Sequence, residues 1–252
     1  FNEGQFQGTF ANTISGGQTY IAVAKNRSTD AISGVIDHSG YAGIFAQRQE
    51  YYILDGSGGN GSNSSNTQSA PDEWTIIIGQ YSQNNTNGSK VFMNGELIEN
   101  HTGSGVQLNN STTFQVGGRT WQNYNSRLFT GDIAEVMVVN DDLTDAQRIE
   151  ILYYLSQKWG LTASVDSDGD GVADATDFAP TDPNVLTDLT VDWTPNYMTD
   201  EVEAILTTAS LKLWLDASHS NSVIKDGSNN VSKWMDLSGN GNDLSGGVAP
   251  NY

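Results

Sequence analysis

Through residue 140 the chain alternates short apolar stretches with polar turns. QTYIAVAKN (18–26), GYAGIFAQR (40–48), EWTIIIGQYS (73–82), SKVFMNGELI (89–98), TTFQVGG (112–118) and GDIAEVMVVN (131–140) are rich in β-branched and aromatic residues. Their spacing predicts the strands of an antiparallel sandwich. Within the fourth, the Asn-Gly pair of MNGE (93–96) predicts a tight hairpin turn. Residues 54–72, LDGSGGNGSNSSNTQSAPD, have no pattern beyond low complexity. They predict a long loop, the part of a rigid sandwich where binding residues collect.

At residue 143 the period changes. LTDAQRIEILYYLSQKWGL (143–161) sets Leu143, Ala146, Ile149, Leu152, Tyr153 and Trp159 at helical spacing. Thr144 is placed to cap the helix with Gln147 as its capping-box partner, and Gly160 to end it. Residues 162–192 are acidic and poor in apolar side chains. TDEVEAILTTA (199–209) predicts a short helix capped by Thr199. SLKLWLDAS (210–218) and NNVSKWMDLSGNGNDLSGG (229–247) return to strand and turn patterns.

Composition narrows the class. Charged residues are 16 % of the chain and glycines number 27, a balance that suits a turn-rich β fold. The net charge of −19, with 11 scattered Lys and Arg, argues against nucleic acid, which demands a basic surface to displace counterions. An acidic excess suits an extracellular protein that holds divalent cations. With no cysteine, the fold must be held by its core and by metal rather than by disulfides. No apolar run is long enough to span a membrane. No signal peptide stands at residue 1, and the chain reads as a portion of a longer polypeptide.

One cluster stands out in DSDGDGVADATD (166–177). Counting from Asp166, carboxylates fall at positions 1 (Asp166), 3 (Asp168), 5 (Asp170), 9 (Asp174) and 12 (Asp177), with Gly171 at 6 and the Val172 carbonyl at 7. Hard oxygen ligands at that spacing, with glycine where the chain turns sharply, match an EF-hand-like calcium loop. Two departures matter: position 12 is Asp rather than Glu, and no strong helices flank the loop. The other reading is a solvated acidic linker.

Three motifs carry resemblances. GDIAEVMVVNDDLTDAQRIEILYYLSQKWGL resembles the C-terminal signature of bacterial LamG-like, concanavalin A-like jelly-roll domains, in which an EV or EI strand runs into a helix ending YLxxKWG. LKLWLDAS…VSKWMDLSGNGND resembles the N-terminal signature of the same family, a WLDA strand followed by W-x-D-x-S-G-N-G-N-D. The acidic loop, continued by DFAPTDPN (177–184), is similar to thrombospondin type 3 and related bacterial calcium repeats, which implies Asp182 as a further ligand. The resemblance implies an all-β, antiparallel concanavalin A-like jelly-roll sandwich with one C-terminal helix, plus a calcium-loop linker. It divides the chain into a jelly roll lacking its first strands (1–161), an acidic calcium-binding linker (162–198), and a short helix with opening jelly-roll strands (199–252). Three arrangements stay open for the last piece. It begins the next repeat, it completes the sandwich of 1–161 in the same chain or from a neighbour, or each piece stands alone.

Concanavalin A-like sandwiches include glycoside hydrolases, of which a retaining enzyme needs two carboxylates about 5 Å apart. No such constellation is legible in 1–161, where Glu96 and Glu99 sit at a hairpin. His38, His101 and His219 are too scattered for a zinc motif. Glu135 and Trp159 read as packing features. For ligand binding the candidates are Tyr51, Tyr52, Trp121 and Tyr124, with RTWQNYNSRLF (119–129) favoured because polar residues interleave its rings. The expectation is a non-catalytic structural or adhesive repeat segment of a large secreted bacterial surface protein or extracellular fibre. Calcium would stiffen its linker, and neighbouring copies would join by strand complementation. Glycans or other surface proteins are further expected partners, and the alternative is a carbohydrate-binding module.

Overall fold

The computed structural model describes residues 5–10, 16–28, 32–38, 42–47, 50–53, 72–82, 89–101, 112–119, 127–185, 211–219, 221–228 and 230–248. In chain order the strands are β1 (Gln5–Thr9), β2 (Gln18–Asn26), β3 (Ser33–His38), β4 (Ala42–Gln47), β5 (Glu50–Tyr52), β6 (Thr75–Tyr81), β7 (Ser89–Met93), β8 (Glu96–His101), β9 (Thr113–Val116) and β10 (Gly131–Val139). Helix α1 (Asp145–Trp159) follows, then β11 (Leu211–Asp216), β12 (Val223–Lys225), β13 (Val231–Trp234) and β14 (Leu244–Val248).

These strands form two antiparallel sheets. One has eight strands in the order β12-β13-β14-β1-β9-β3-β4-β5, the other six in the order β11-β10-β2-β6-β7-β8. All six stretches expected as strands carry one. The shorter β1, β3 and β5 had no pattern of their own: β3, SGVIDH, and β5, EYY, are too brief to show a period. Their partners define them, since β3 is held between β4 and β9.

The alternation of β2 explains the layering. Tyr20, Ala22 and Ala24 enter the core between the sheets, with Ile36, Ile44, Ile77, Phe114 and Val136. Ile21 and Val23 point the other way, into a second core with Ile76, Ile78, Met137, Ile151, Leu152 and Leu155, where α1 covers the outer face of the six-stranded sheet. The central strands β10, β2 and β6 of that sheet are thus buried on both faces, which is why they read as near-continuous apolar runs.

Helix α1 has the expected ends. Thr144 Oγ1 accepts from Gln147 N (3.3 Å), Gln147 Oε1 accepts from Thr144 N (3.0 Å), and Gly160 closes the helix with left-handed φ 66°. Leu143, Ile149, Leu152 and Tyr153 of the expected face are buried and Trp159 packs against the helix-side core. Ala146 is exposed, and Arg148 is buried with its guanidinium 3.9 Å above the centre of the Phe92 ring. A long side chain covering an aromatic face replaces an aliphatic contact there.

The C-terminal strands contribute to both sheets. β11 pairs with β10, with Glu135 opposite Asp216 and Met137 opposite Trp214. β14 pairs with β1, with Gln7 opposite Ser245. Leu213, Leu215, Val231, Trp234 and Leu244 join the core between the sheets. The SGNGND turn knits this unit together: Asn240 Nδ2 donates to Leu211 O (2.7 Å), Asn242 Nδ2 to Lys212 O (2.6 Å), and Trp214 N to Asp236 Oδ1 (3.0 Å). Edge-strand backbone groups of β11 are thereby occupied by side chains, which protects that edge of the sheet. The helix expected at 199–209 and nearly all of the loop expected at 54–72 lie outside the described residues.

Candidate metal centre and buried ion cluster

The chain leaves α1 at Gly160 and turns straight into the acidic loop, which is packed onto the sandwich. Val165 is fully buried in the helix-side core. Asp166 N donates to Asn94 O (3.1 Å), in the turn between β7 and β8. Asn94 (φ 48°) and Gly95 (φ 99°) form the Asn-Gly hairpin turn that the sequence signals. A Cβ at Gly95 would run into the Asp166 carbonyl oxygen, so glycine serves both the turn and the close approach of the loop.

Asp174 ties the loop to the helix. Its carboxylate accepts from Ser167 N (2.8 Å), Ser167 Oγ (2.9 Å) and Ser156 Oγ of α1. Through these bonds Asp174 clamps the loop to itself and to α1.

The remaining carboxylates converge. Asp166, Asp168 and Asp170 each bring an oxygen within 4.8 Å of the others. Asp168 and Asp170 each have one oxygen held by a backbone N–H, and Asp166 has both, with Gly171 N donating to its Oδ2 (2.9 Å). Gly169 N donates to Asp166 Oδ1 (2.8 Å), Asp170 N to Asp168 Oδ1 (3.2 Å), Val172 N to Asp170 Oδ1 (2.8 Å) and Ala179 N to Asp177 Oδ1 (2.9 Å). These bonds fix the side chains and leave Oδ2 of Asp168, Asp170 and Asp177 shielded from water without a donor. Burial and the charges of Asp170, Asp177 and Asp166 push the Asp168 carboxyl up to about 6, and burial with the charges of Asp170 and Asp166 raises Asp177. Buried carboxylate oxygens that repel and lack donors are the donor set a hard cation completes. This cluster can hold a metal ion. Asp182 is exposed and accepts from Asn184 N (3.1 Å) and Nδ2 (3.0 Å).

A second acidic cluster, which sequence reasoning missed, lies at the last turn of α1. A β-bulge in β10 between Ile133 and Glu135 puts both Ala134 and Glu135 on the helix side. Glu135, 1 % exposed, accepts from Lys158 Nζ (2.9 Å), Trp159 Nε1 (2.6 Å) and Trp214 Nε1 (2.7 Å). Lys158 Nζ also donates to Asp216 Oδ2 (2.7 Å). Burial raises Glu135 against the pull of Lys158. Burial also pushes Asp216 up, but its bonds from Lys158 and Ser218 outweigh that and hold it below the usual carboxylate range. Lys158 is raised because the two carboxylates overcome its burial. The KWG and EV motifs supply one side of this cluster and the WLDA motif the other.

Of the other candidates, Tyr51 is fully buried and belongs to the core, while Trp121, Tyr124 and the Tyr52 side chain lie outside the described residues. Arg119, which opens the stretch containing Trp121 and Tyr124, is buried 3.9 Å from Asp37 with its guanidinium 5.2 Å above the Phe45 ring. His38 is buried against the Tyr20 hydroxyl (2.8 Å). No helix among the described residues is long and apolar enough to cross a membrane.

The laminin G-like profile described as "Concanavalin A-like lectin/glucanases superfamily" matches residues 8–147, more than half of the chain. The chain belongs to this family. No curated protein matches its sequence. Among solved structures it is similar to a candidate carbohydrate binding protein from Bacteroides ovatus, at 13 % identity and TM-score 0.51, over 98 % of this chain. The chain spans 58 % of that protein's length. Matches with lower TM-scores include a heptameric SAP-like pentraxin from Limulus polyphemus (12 % identity, TM-score 0.37, 56 % of this chain and 71 % of that one) and a Trypanosoma rangeli sialidase (13 % identity, TM-score 0.39, 51 % and 21 %). At these identities the likeness concerns the fold.

Proposed function

We propose that the chain is a non-catalytic, calcium-dependent structural segment of a secreted bacterial surface protein, a laminin G-like sandwich that works in adhesion or in an extracellular fibre. The observation that carries the calcium reading is the set of donorless, water-shielded oxygens on Asp168, Asp170 and Asp177 beside Asp166. Calcium suits them because it accepts six to eight oxygens in flexible geometry, and the Val172 carbonyl and water complete the shell. When bound, the ion supplies the positive charge these carboxylates lack. Val165, Asp166 and Asp174 join the loop to the helix-side core, the β7–β8 turn and α1. Occupancy therefore stiffens the exit of the chain from its own sandwich and sets the direction in which the following segment leaves. Thermal melts with calcium and with chelator test this. A calcium-dependent rise in Tm that Asp170→Asn abolishes supports it, and a melt indifferent to calcium returns 166–177 to an acidic linker.

The second reading, a carbohydrate-binding module, is favoured by the Bacteroides ovatus relative and by Arg119, anchored on the sheet at the start of the 119–129 stretch. It requires saturable binding of a defined oligosaccharide that Trp121→Ala or Tyr124→Ala removes.

A further inference from the structure

The described part of the tail, 211–248, inserts as a unit. It forms one edge of the six-stranded sheet through β11 and three strands of the eight-stranded sheet through β12, β13 and β14. What it joins is chemically specific. The groove beside β10 offers the Lys158 ammonium and the buried Glu135 carboxylate, and β11 brings Asp216 to the first and the Trp214 indole N–H to the second. Without β11, Lys158 loses one of its two carboxylates and Glu135 one of its three donors, in a site that is otherwise desolvated. The groove is incomplete without this strand.

The recognition is written in side chains, and chain connection imposes little on it. Residues 186–210, 25 positions, link the acidic loop to β11. On length alone such a segment reaches up to about 80 Å, whereas crossing a six-stranded sheet takes about 24 Å. The linker is therefore long enough for the same tail to reach a neighbouring groove, and at high chain concentration that exchange competes with closure on its own.

We propose that residues 211–248 are an exchangeable donor unit, and that the groove between β10, α1 and β1 accepts this unit from a second copy of the chain, with Asp216 and Trp214 of one copy completing the Lys158–Glu135 site of the other. This rests on the repeat-segment reading for the identity of the partner, and the two fail separately. Calcium-dependent melting probes the acidic loop and is indifferent to which copy supplies the tail.

The test uses full chains. Lys158→Asp leaves three acids facing one another, and Asp216→Lys leaves two cations against one acid. Exchange between these two variants restores an opposite-charge pair in both grooves. Each alone should melt early, and an equimolar mixture refolded together should regain most of the lost Tm as a heterodimer. Because the chain has no cysteine, a reporter pair is available at Gln7 and Ser245, which are exposed and face each other across β1 and β14. Refolding Gln7→Cys chains with Ser245→Cys chains at high concentration, followed by oxidation, should give disulfide-linked dimers with one chain of each kind. The double variant at low concentration should close within the monomer. Two outcomes overturn the proposal: a charge-reversed mixture that stays as two destabilised monomers, or wild-type chain that light scattering finds monomeric after refolding at every concentration.

Discussion

Two acidic clusters lie against the C-terminal half of α1, two residues apart on the helix, and they meet the same electrostatic problem differently. At Lys158 the buried Glu135 and Asp216 carboxylates share an ammonium that the chain itself supplies. Below Ser156, the carboxylates of Asp166, Asp168, Asp170 and Asp177 are gathered without any basic side chain among their hydrogen-bond partners. The first cluster is closed, and the second can take a cation from solution. Acidic residues alone therefore do not mark a metal site. The distinguishing feature is a carboxylate oxygen removed from water with nothing donating to it.

The largest effect should come from taking away the internal cation. Lys158→Met leaves Glu135 and Asp216 buried without it and should cost about 3–5 kcal/mol, read in a denaturant or thermal melt. Adding Glu135→Gln and Asp216→Asn to the same chain should recover much of the loss. If the single variant melts like wild type, the cluster is not the closed ion site described.

The acidic loop should respond in the opposite sense. Asp170→Asn should leave the chelated protein as stable as wild type or slightly more so, because it removes one repelling charge. In calcium at about a hundredfold over Kd, it should lose a stabilisation of about 2.7 kcal/mol that wild type gains. A variant equally destabilised with and without calcium would make Asp170 a structural residue like Asp174.

Gly95→Ala probes the junction between loop and sandwich. A left-handed backbone position and the approach of the Asp166 carbonyl together should cost about 1–3 kcal/mol, and calcium affinity should fall with it, by titration calorimetry. Unchanged affinity would mean that the loop forms independently of the hairpin turn.

The smallest effect is on pH. In the chelated protein the Asp168 carboxyl is raised to about 6, so the folded state binds its proton before the unfolded state does. That contribution to stability is fully present below the unfolded value near 4 and is lost as pH rises through about 6. Chelated wild type should therefore lose stability between pH 4 and 6 relative to Asp168→Asn, a difference that saturating calcium should erase by holding the carboxylate ionised.

Much of the fold was legible because its signals are local. The Thr144–Gln147 capping box, the Gly160 stop and the Asn94–Gly95 turn each depend on neighbours within four residues, and all three are present. The regular Asp spacing of 166–170 likewise brought its carboxylates together. Ala146 was expected on the buried face and is exposed, whereas Arg148, absent from that expectation, is buried over Phe92 of β7, far away in sequence. The Glu135 cluster was invisible for the same reason: β10, the end of α1 and β11 meet only in the folded sheet, and the bulge that turns Glu135 toward the helix is a property of strand pairing.

By itself the sequence determined the antiparallel sandwich, the capped helix of 143–161 and the hard-oxygen spacing of the acidic loop, since periods, caps and turns are short-range properties of the backbone and its nearest side chains. Tertiary structure alone decided that the loop packs onto the helix and the hairpin turn, that Asp174 clamps while Asp168 and Asp170 each keep a buried oxygen without a donor, and that the WLDA strand forms the edge beside β10. Those outcomes depend on which distant surfaces exclude water from which charges, and that is settled only when the sheets close.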